Sequence, residues 1–82
     1  MSEIKEPLRN FIASELLSGE RTVADDESLL ADGMIDSMGV VRLVAFAEDT
    51  FGCQIPPEDV TIDNFRSIDN LAAYLGTRIH AN

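Results

Sequence analysis

The chain has 82 residues, 15 of them acidic and 6 basic, which gives a formal charge of -9, and 45% of its residues are hydrophobic. At this length folding removes only roughly 60% of the unfolded surface from water, so we expect one small domain over residues 1–82 without a deep catalytic cleft. The negative charge argues against nucleic acid as a partner, and no apolar run approaches the ~20 residues of a membrane span.

The first predicted element is an amphipathic helix. Its apolar residues recur at the spacing of one helical face, at Ile4, Leu8, Phe11, Ile12 and Leu16. Because proline is tolerated mainly in a first turn, Pro7 predicts a regular helix that starts near Glu6, with Ile4 packing from an irregular entry. We expect the helix to end by Ser18-Gly19. Residues 1–6 lack the basic and apolar regions of a secretory signal, which predicts a cytoplasmic location.

A long acidic loop is predicted over residues 19–35, where regular periodicity is lost. Loops of more than ~12–15 residues are unusual in compact domains and tend to be functional. We expect Leu29 and Leu30 to tie this loop to the core. Its residues 25–36 have the length of an EF-hand calcium loop, but Leu29, Leu30 and Asp36 occupy ligand or glycine positions, so we interpret most of these acids as a solvated surface.

The second helix is predicted to open at Asp36 and Ser37 and to stop at Gly52. Its apolar surface is wide, which predicts the central and most buried helix of the fold. On helix-capping preferences alone, Asp36 and Ser37 are a capping pair.

The last third of the chain predicts short helical turns and then a final helix. Pro56 and Pro57 block helix continuation, after which residues 58–65 allow one or two short turns. Ser67 can cap the last helix, whose apolar face comprises Ile68, Leu71, Ala72, Leu75 and Ile79. The predicted fold class is all-α, a small bundle of three main helices and one short helix with a long loop between the first two.

Catalysis by the chain itself is not supported by its sequence. His80, the single histidine, lies too close to the end of the sequence to serve as a positioned base. No Cys/His cluster offers metal ligands. We interpret Cys53 as a small, partly buried hydrophobe, with an intermolecular disulfide as the alternative.

The residues around Ser37 carry a resemblance to a known family. The run Asp32-Gly33-Met34-Ile35-Asp36-Ser37-Met38-Gly39, followed by the Phe51-Gly52 stop and the Ile55-Pro56 turn, resembles the acyl carrier protein family. The likeness covers nearly the whole chain. In that family the serine matching Ser37 receives 4′-phosphopantetheine from coenzyme A, and acyl groups are carried on its terminal thiol as thioesters.

The resemblance implies roles for the neighbours of Ser37. Asp36 is expected to help place the magnesium of the modifying transferase, to cap the helix, or to do both. Gly33 supplies backbone freedom for the turn into the helix. Ile35 is expected in the core, whereas Met34 and Met38 are candidates for contacts with partner enzymes or with the attached arm.

Two residues depart from the common fatty-acid carriers, which have acidic residues just after the serine. Here Gly39 and Arg42 stand in those places. Glycine costs ~1 kcal/mol relative to alanine in a helix interior, so some close approach is expected to favour Gly39. Arg42 puts positive charge on the exposed face of the second helix, where common carriers dock. A synthase that recognises acidic residues there should therefore bind this chain less well.

The leading hypothesis is a discrete, monomeric and non-catalytic carrier of acyl or aminoacyl groups, dedicated to one biosynthetic pathway. The implied partners are a phosphopantetheinyl transferase, an adenylating ligase or acyltransferase that loads the cargo, and downstream synthases or transferases. The alternative is an unmodified acidic helical adaptor that binds basic partners and in which Ser37 is only a helix cap.

Overall fold

Four α-helices build the fold, in a computed structural model that describes residues 2–19, 21–31 and 34–79. They are α1 (Ser2–Phe11), α2 (Ser37–Phe51), α3 (Ile62–Phe65) and α4 (Ile68–Ile79). A π-helical turn, Ile12–Leu16, extends α1, and a 3-10 turn, Pro57–Asp59, precedes α3. No strand occurs in the described ranges. The predicted all-α bundle of three main helices and one short helix is confirmed.

The start of α1 differs from the prediction. The helix begins at Ser2 rather than near Glu6, and Pro7 lies inside it. Proline removes the one hydrogen bond that its amide would donate to the carbonyl of Glu3. The face on which Ile4 and Leu8 lie is buried against the core, and this burial outweighs the lost bond.

The C-terminal end of α1 is irregular. The amide of Leu17 donates to the carbonyl of Ile12 at 2.9 Å, and that of Gly19 to the carbonyl of Ala13 at 2.8 Å. Ser18 and Gly19 have positive φ angles of 58° and 73°. Two consecutive left-handed residues turn the chain away from the helix axis, which confirms the predicted end by Ser18-Gly19.

The acidic loop is fixed to the helices at several points. Leu29 is buried, and its amide donates to the carbonyl of Arg66 at 2.7 Å. Arg9 pairs with Asp25 at 3.0 Å and holds the pKa of that carboxyl below its ordinary value. Glu27 likewise pairs with Arg21. The expected tie through Leu29 is confirmed, whereas Asp25 and Glu27 are ion-paired rather than simply solvated.

The final helix, rather than α2, is the most deeply buried. Within α4 the buried residues are Ile68, Leu71, Ala72 and Leu75, and its cap Ser67 accepts a bond from the amide of Asn70 at 3.1 Å. In α2, Leu43 and Ala47 are its buried hydrophobic side chains, while Val41 is exposed. The prediction that α2 is the most buried helix is wrong, because a large part of its apolar surface faces outward.

Candidate functional site

The start of α2 is capped by Asp36. The backbone of Asp36 is extended, with φ −88° and ψ −175°, and its Oδ1 accepts a hydrogen bond from the amide of Gly39 at 2.8 Å. Ser37 is therefore the first residue of the helix, not its cap. This corrects the view of Ser37 as a helix cap and confirms the capping role expected of Asp36.

Gly39 is required by the packing of this helix start. A Cβ atom at this position would lie 2.7 Å from Cγ2 of Ile35 and 3.4 Å from Oδ1 of Asp36. Ile35 is 6% exposed and belongs to the core, as predicted. Glycine thus allows the buried isoleucine and the capping carboxylate to sit against the first turn, and the expected close approach is confirmed.

Ser37 presents an exposed hydroxyl at the N-terminus of a long helix. Within residues 2–19, 21–31 and 34–79, no base or other group hydrogen-bonds to this hydroxyl. An unactivated serine is a poor nucleophile but a suitable acceptor for a group transferred by another protein. The free N–H groups of the first turn and the positive end of the helix dipole favour an anion here.

A cavity of about 280 Å³ lies beside Ser37, between the end of α1 and the start of α2. We call it the charged cavity. Its lining consists of Leu16, Met34, Ile35, Asp36, Met38, Gly39 and Arg42. Most of these side chains are apolar, while Asp36 and Arg42 contribute opposite charges. Both chain neighbours of Ser37 are therefore part of this lining.

Arg42 is held at this cavity by the π-helical turn. One of its guanidinium nitrogens donates to the carbonyl oxygen of Glu15 at 3.3 Å, and another lies 3.5 Å from Oε1 of the same residue. The positive charge that the sequence places on this face is therefore present, exposed and partly balanced by Glu15.

The other flank of α2 is apolar. A cavity of about 200 Å³ is lined by Val40, Val41, Val44, Ile55, Pro57 and Val60. A neighbouring cavity of about 140 Å³ is lined by Leu30, Val40, Val60, Thr61, Ile62 and Phe65. We call these two the apolar cavities. Four large hydrophobic side chains near Ser37 and these cavities are exposed, by 67% at Met38, 61% at Val41, 37% at Val60 and 69% at Ile62.

A hydrogen bond fixes the turn Pro57–Asp59, which borders the apolar cavities, to α4. The hydroxyl of Tyr74 donates to Oδ2 of Asp59 at 2.6 Å. Burial and the carboxylate of Asp59 raise the pKa of Tyr74 to about 12. The turn Pro57–Asp59, which leads into Val60, is thereby attached to the most buried helix.

Cys53 lies beyond the C-terminal end of α2. It is partly buried against the core, and burial raises the pKa of its thiol. The side chain of Glu48 accepts a bond from the amide of Ile55 at 2.8 Å and closes this turn. The interpretation of Cys53 as a partly buried hydrophobe is confirmed, while its intermolecular disulfide stays a prediction.

The structure brings together most of the residues that the sequence singled out. Met34 is half-buried against the core and Met38 is exposed, and both reach the charged cavity. Gly33 and His80 lie outside the described residues. Sequence reasoning put Leu16 on the apolar face of the first helix but did not place it or Glu15 at the site, because the π-helical turn that brings them near Arg42 has no clear sequence signal.

A small helical bundle with an exposed serine at a capped helix start has the features of a carrier domain. Residues 6–75 match the family described as "Phosphopantetheine attachment site". The chain belongs to this family, to which acyl carrier proteins belong, and the resemblance seen in the sequence is confirmed. It is a carrier protein whose cofactor is covalently attached 4′-phosphopantetheine. In the described parts of the chain, no helix has the length and apolar character to cross a membrane.

The region around Ser37 fits such a cofactor. The exposed hydroxyl is accessible to a modifying enzyme, and the helix N-terminus and Arg42 offer positive potential to a phosphodiester. When bound, phosphopantetheine supplies a terminal thiol that carries acyl groups as thioesters.

Proposed function

We propose that Ser37 is the attachment residue and that residues 1–82 form one carrier domain for acyl or aminoacyl groups. The observation that carries this proposal is the exposed hydroxyl of Ser37 at a helix start whose cap is supplied by another residue, Asp36. Since Asp36 supplies the cap, the exposed hydroxyl of Ser37 is available for modification, which explains its position on the surface.

The proposed chemistry at Ser37 depends on a partner. A phosphopantetheinyl transferase must take the proton of the hydroxyl, because no base among the described residues contacts it. The chain contributes the position of the oxygen atom and a favourable environment for the phosphodiester. This division of roles is that of a substrate of modification rather than of an enzyme.

Asp36 has two roles in the proposal. Its Oδ1 caps α2 through the amide of Gly39, which fixes the backbone that presents Ser37. Its carboxylate also lies next to the reacting hydroxyl in sequence and is placed to help hold the magnesium ion of the transferase. The cap needs one oxygen atom, which leaves the other available for such a contact.

The partner surface in the proposal combines apolar side chains with one positive charge. Met38 and Val41 are exposed on α2 and Ile62 is exposed on α3. Arg42 is exposed on the flank of α2 that faces the π-helical turn. Met34 contributes from the end of the acidic loop. A partner whose binding requires acidic residues in the first turns of α2 meets the positive charge of Arg42 instead. This favours binding by enzymes dedicated to one pathway over binding by a general fatty-acid synthase.

The cargo in this proposal arrives from an adenylating ligase or an acyltransferase and is passed to downstream synthases. The apolar cavities offer space lined mainly by aliphatic side chains, and their volumes of about 200 and 140 Å³ suit a short apolar chain better than a polar one.

The test is loading of the purified chain. Incubation with coenzyme A, magnesium and a broad-specificity phosphopantetheinyl transferase should raise the intact mass by that of phosphopantetheine. We expect Ser37→Ala to abolish the gain, whereas Ser14→Ala, at another exposed serine, should load like the wild type. A folded wild-type chain that gains no mass would contradict the proposal and favour the unmodified adaptor.

A further inference from the structure

We propose that the charged cavity binds the pantoyl segment of the phosphopantetheine arm, with the guanidinium of Arg42 facing the phosphodiester. The inference rests on the proposed attachment at Ser37 and adds a binding site for the arm on the surface of the carrier itself. The pantoyl segment is the part of the arm that follows the phosphate, and it bears two geminal methyl groups, a hydroxyl and an amide.

Position favours this cavity over the apolar ones. Both chain neighbours of Ser37, namely Asp36 and Met38, line the charged cavity. On α2, the lining of the apolar cavities starts at Val40, one turn further along the same helix face as Ser37 and not directly next to it in the chain. A group attached to Ser37 therefore begins at the rim of the charged cavity, and the segment nearest the phosphate reaches it first.

The size of the cavity matches a short branched segment. Its volume of about 280 Å³ exceeds that of either apolar cavity. A single water molecule needs only about 10–15 Å³ of cavity volume measured in this way, so the cavity has room for a group of several heavy atoms. A segment with a quaternary carbon, a hydroxyl and an amide fits in such a space.

The lining has the mixed chemistry that the pantoyl segment requires. Leu16, Met34 and Met38 offer apolar surface to the geminal methyl groups. Oδ1 of Asp36 is engaged by the amide of Gly39, so the second carboxylate oxygen is available to accept a hydrogen bond from the pantoyl hydroxyl. The apolar cavities have no charged side chain among their lining residues and offer no comparable acceptor of this kind.

Arg42 supplies the positive charge. Its guanidinium is held at the cavity by the carbonyl and the carboxylate of Glu15. Exposed ion pairs of this kind contribute little, so a phosphodiester can compete with the Glu15 carboxylate for the guanidinium. Attraction to Arg42 adds to that of the α2 N-terminus, and both act on the same phosphate.

The test uses the loaded protein and reads the position of the arm. Intact mass first establishes loading, so that a failure of attachment is distinguished from a failure of this inference. The arm is introduced from coenzyme A with ¹³C-labelled geminal methyl groups, and nuclear Overhauser effects to the protein are recorded. We expect cross-peaks to the methyl groups of Met34 and of Leu16, which is remote from Ser37 in sequence. Cross-peaks to Val41 and Val60 alone, or none to the protein, would overturn the inference.

A matched pair of variants isolates the charge. Arg42→Gln and Arg66→Gln each remove an exposed, ion-paired arginine, with side-chain exposures of 51% and 57%. We expect both variants to keep the apo amide spectrum away from the changed residue, and cross-peaks are compared between samples that intact mass shows to be fully loaded. Arg42→Gln should lose the cross-peaks between the arm and Leu16, whereas Arg66→Gln should retain them. Wild-type cross-peaks in Arg42→Gln would contradict the role of Arg42.

Discussion

The two flanks of α2 differ in chemistry although one helix supplies both. The flank toward α1 holds the charged cavity, where Asp36 and Arg42 face apolar walls. The flank toward α3 holds the apolar cavities, which are lined mainly by aliphatic side chains. The comparison teaches that one helix can border two cavities of different chemistry, which the proposals above assign to the phosphodiester and to an apolar group.

The flanks also differ in how they are built. The charged cavity depends on local features of α2, namely the Asp36 cap and Gly39, and on the π-helical turn of α1. The apolar cavities depend on the contact of α2 with the segment before α3, which Tyr74 fixes through Asp59. Substitutions can therefore disturb one flank and spare the other.

The largest overall effect, on stability and on loading together, is expected for Gly39→Ala. The added methyl group meets Cγ2 of Ile35 at 2.7 Å, and the buried, β-branched isoleucine cannot move aside easily. Overpacking costs about 1–3 kcal/mol, which the better helix propensity of alanine offsets by only ~1 kcal/mol. We expect a lower free energy of unfolding in urea and slower loading of Ser37.

Gly52→Ala is the matched control for this variant. Gly52 has φ 65°, and a Cβ atom added there would meet no other group within 4 Å. Alanine at this position therefore strains the backbone by ~1–2 kcal/mol without touching the charged cavity. We expect lower stability with an unchanged loading rate. Equal loading rates in the two variants would contradict the distinction between a change at the charged cavity and a change elsewhere in the fold.

An intermediate effect is expected at Asp36, where two substitutions separate its two proposed roles. Asp36→Ala removes the cap and should lower the free energy of unfolding by about 0.5–2 kcal/mol. Asp36→Asn keeps a capping oxygen and should stay near wild-type stability. If the carboxylate also serves the transferase, both variants should load more slowly. Wild-type loading by Asp36→Asn would leave capping as the sole role of Asp36.

The smallest effect is expected on the apolar flank, at Tyr74. Its pKa of about 12 lies above the ordinary 10.0, so folding favours the neutral phenol. The stabilisation is complete below pH 10 and is lost as the pH rises toward 12. Because the sequence has one tyrosine and no tryptophan, phenolate absorbance reports this group directly.

We expect Asp59→Asn to lower the titration midpoint of Tyr74, since the charged acceptor is removed. Tyr74→Phe should reduce the free energy of unfolding by about 0.5–1.5 kcal/mol and leave Ser37 loading unchanged. A midpoint near the ordinary value of 10.0 in the folded wild-type protein would show that the wall of the apolar cavities is not held by this bond.

Much of the fold could be predicted from local signals. The spacing of apolar residues located α4, and Gly52 and the paired prolines marked the end of α2 and the following turn. The start of α1 was predicted too late because the cost of Pro7 inside a helix is outweighed by the burial of Ile4 and Leu8, which depends on tertiary packing. The prediction that α2 is the most buried helix is wrong for the same reason, since periodicity does not show which apolar faces pack against another helix.

The candidate site was predictable in part. The order of residues around Ser37 pointed to a carrier, and the match over residues 6–75 confirmed the family. The contact of Arg42 with Glu15 could not be foreseen, because the residues are 27 apart in sequence and meet only through an irregular helix end. Long-range contacts of this kind depend on the packing of whole helices.

The most direct measurement of the central claim is to map the attachment residue by mass spectrometry of the loaded protein. Cleavage after Arg21 and Arg42 leaves Ser28 and Ser37 in one peptide, so fragmentation of that peptide must distinguish them. The account predicts that the added mass of phosphopantetheine lies on Ser37 alone. Added mass on Ser28 or on any other residue, with Ser37 unmodified, would contradict it.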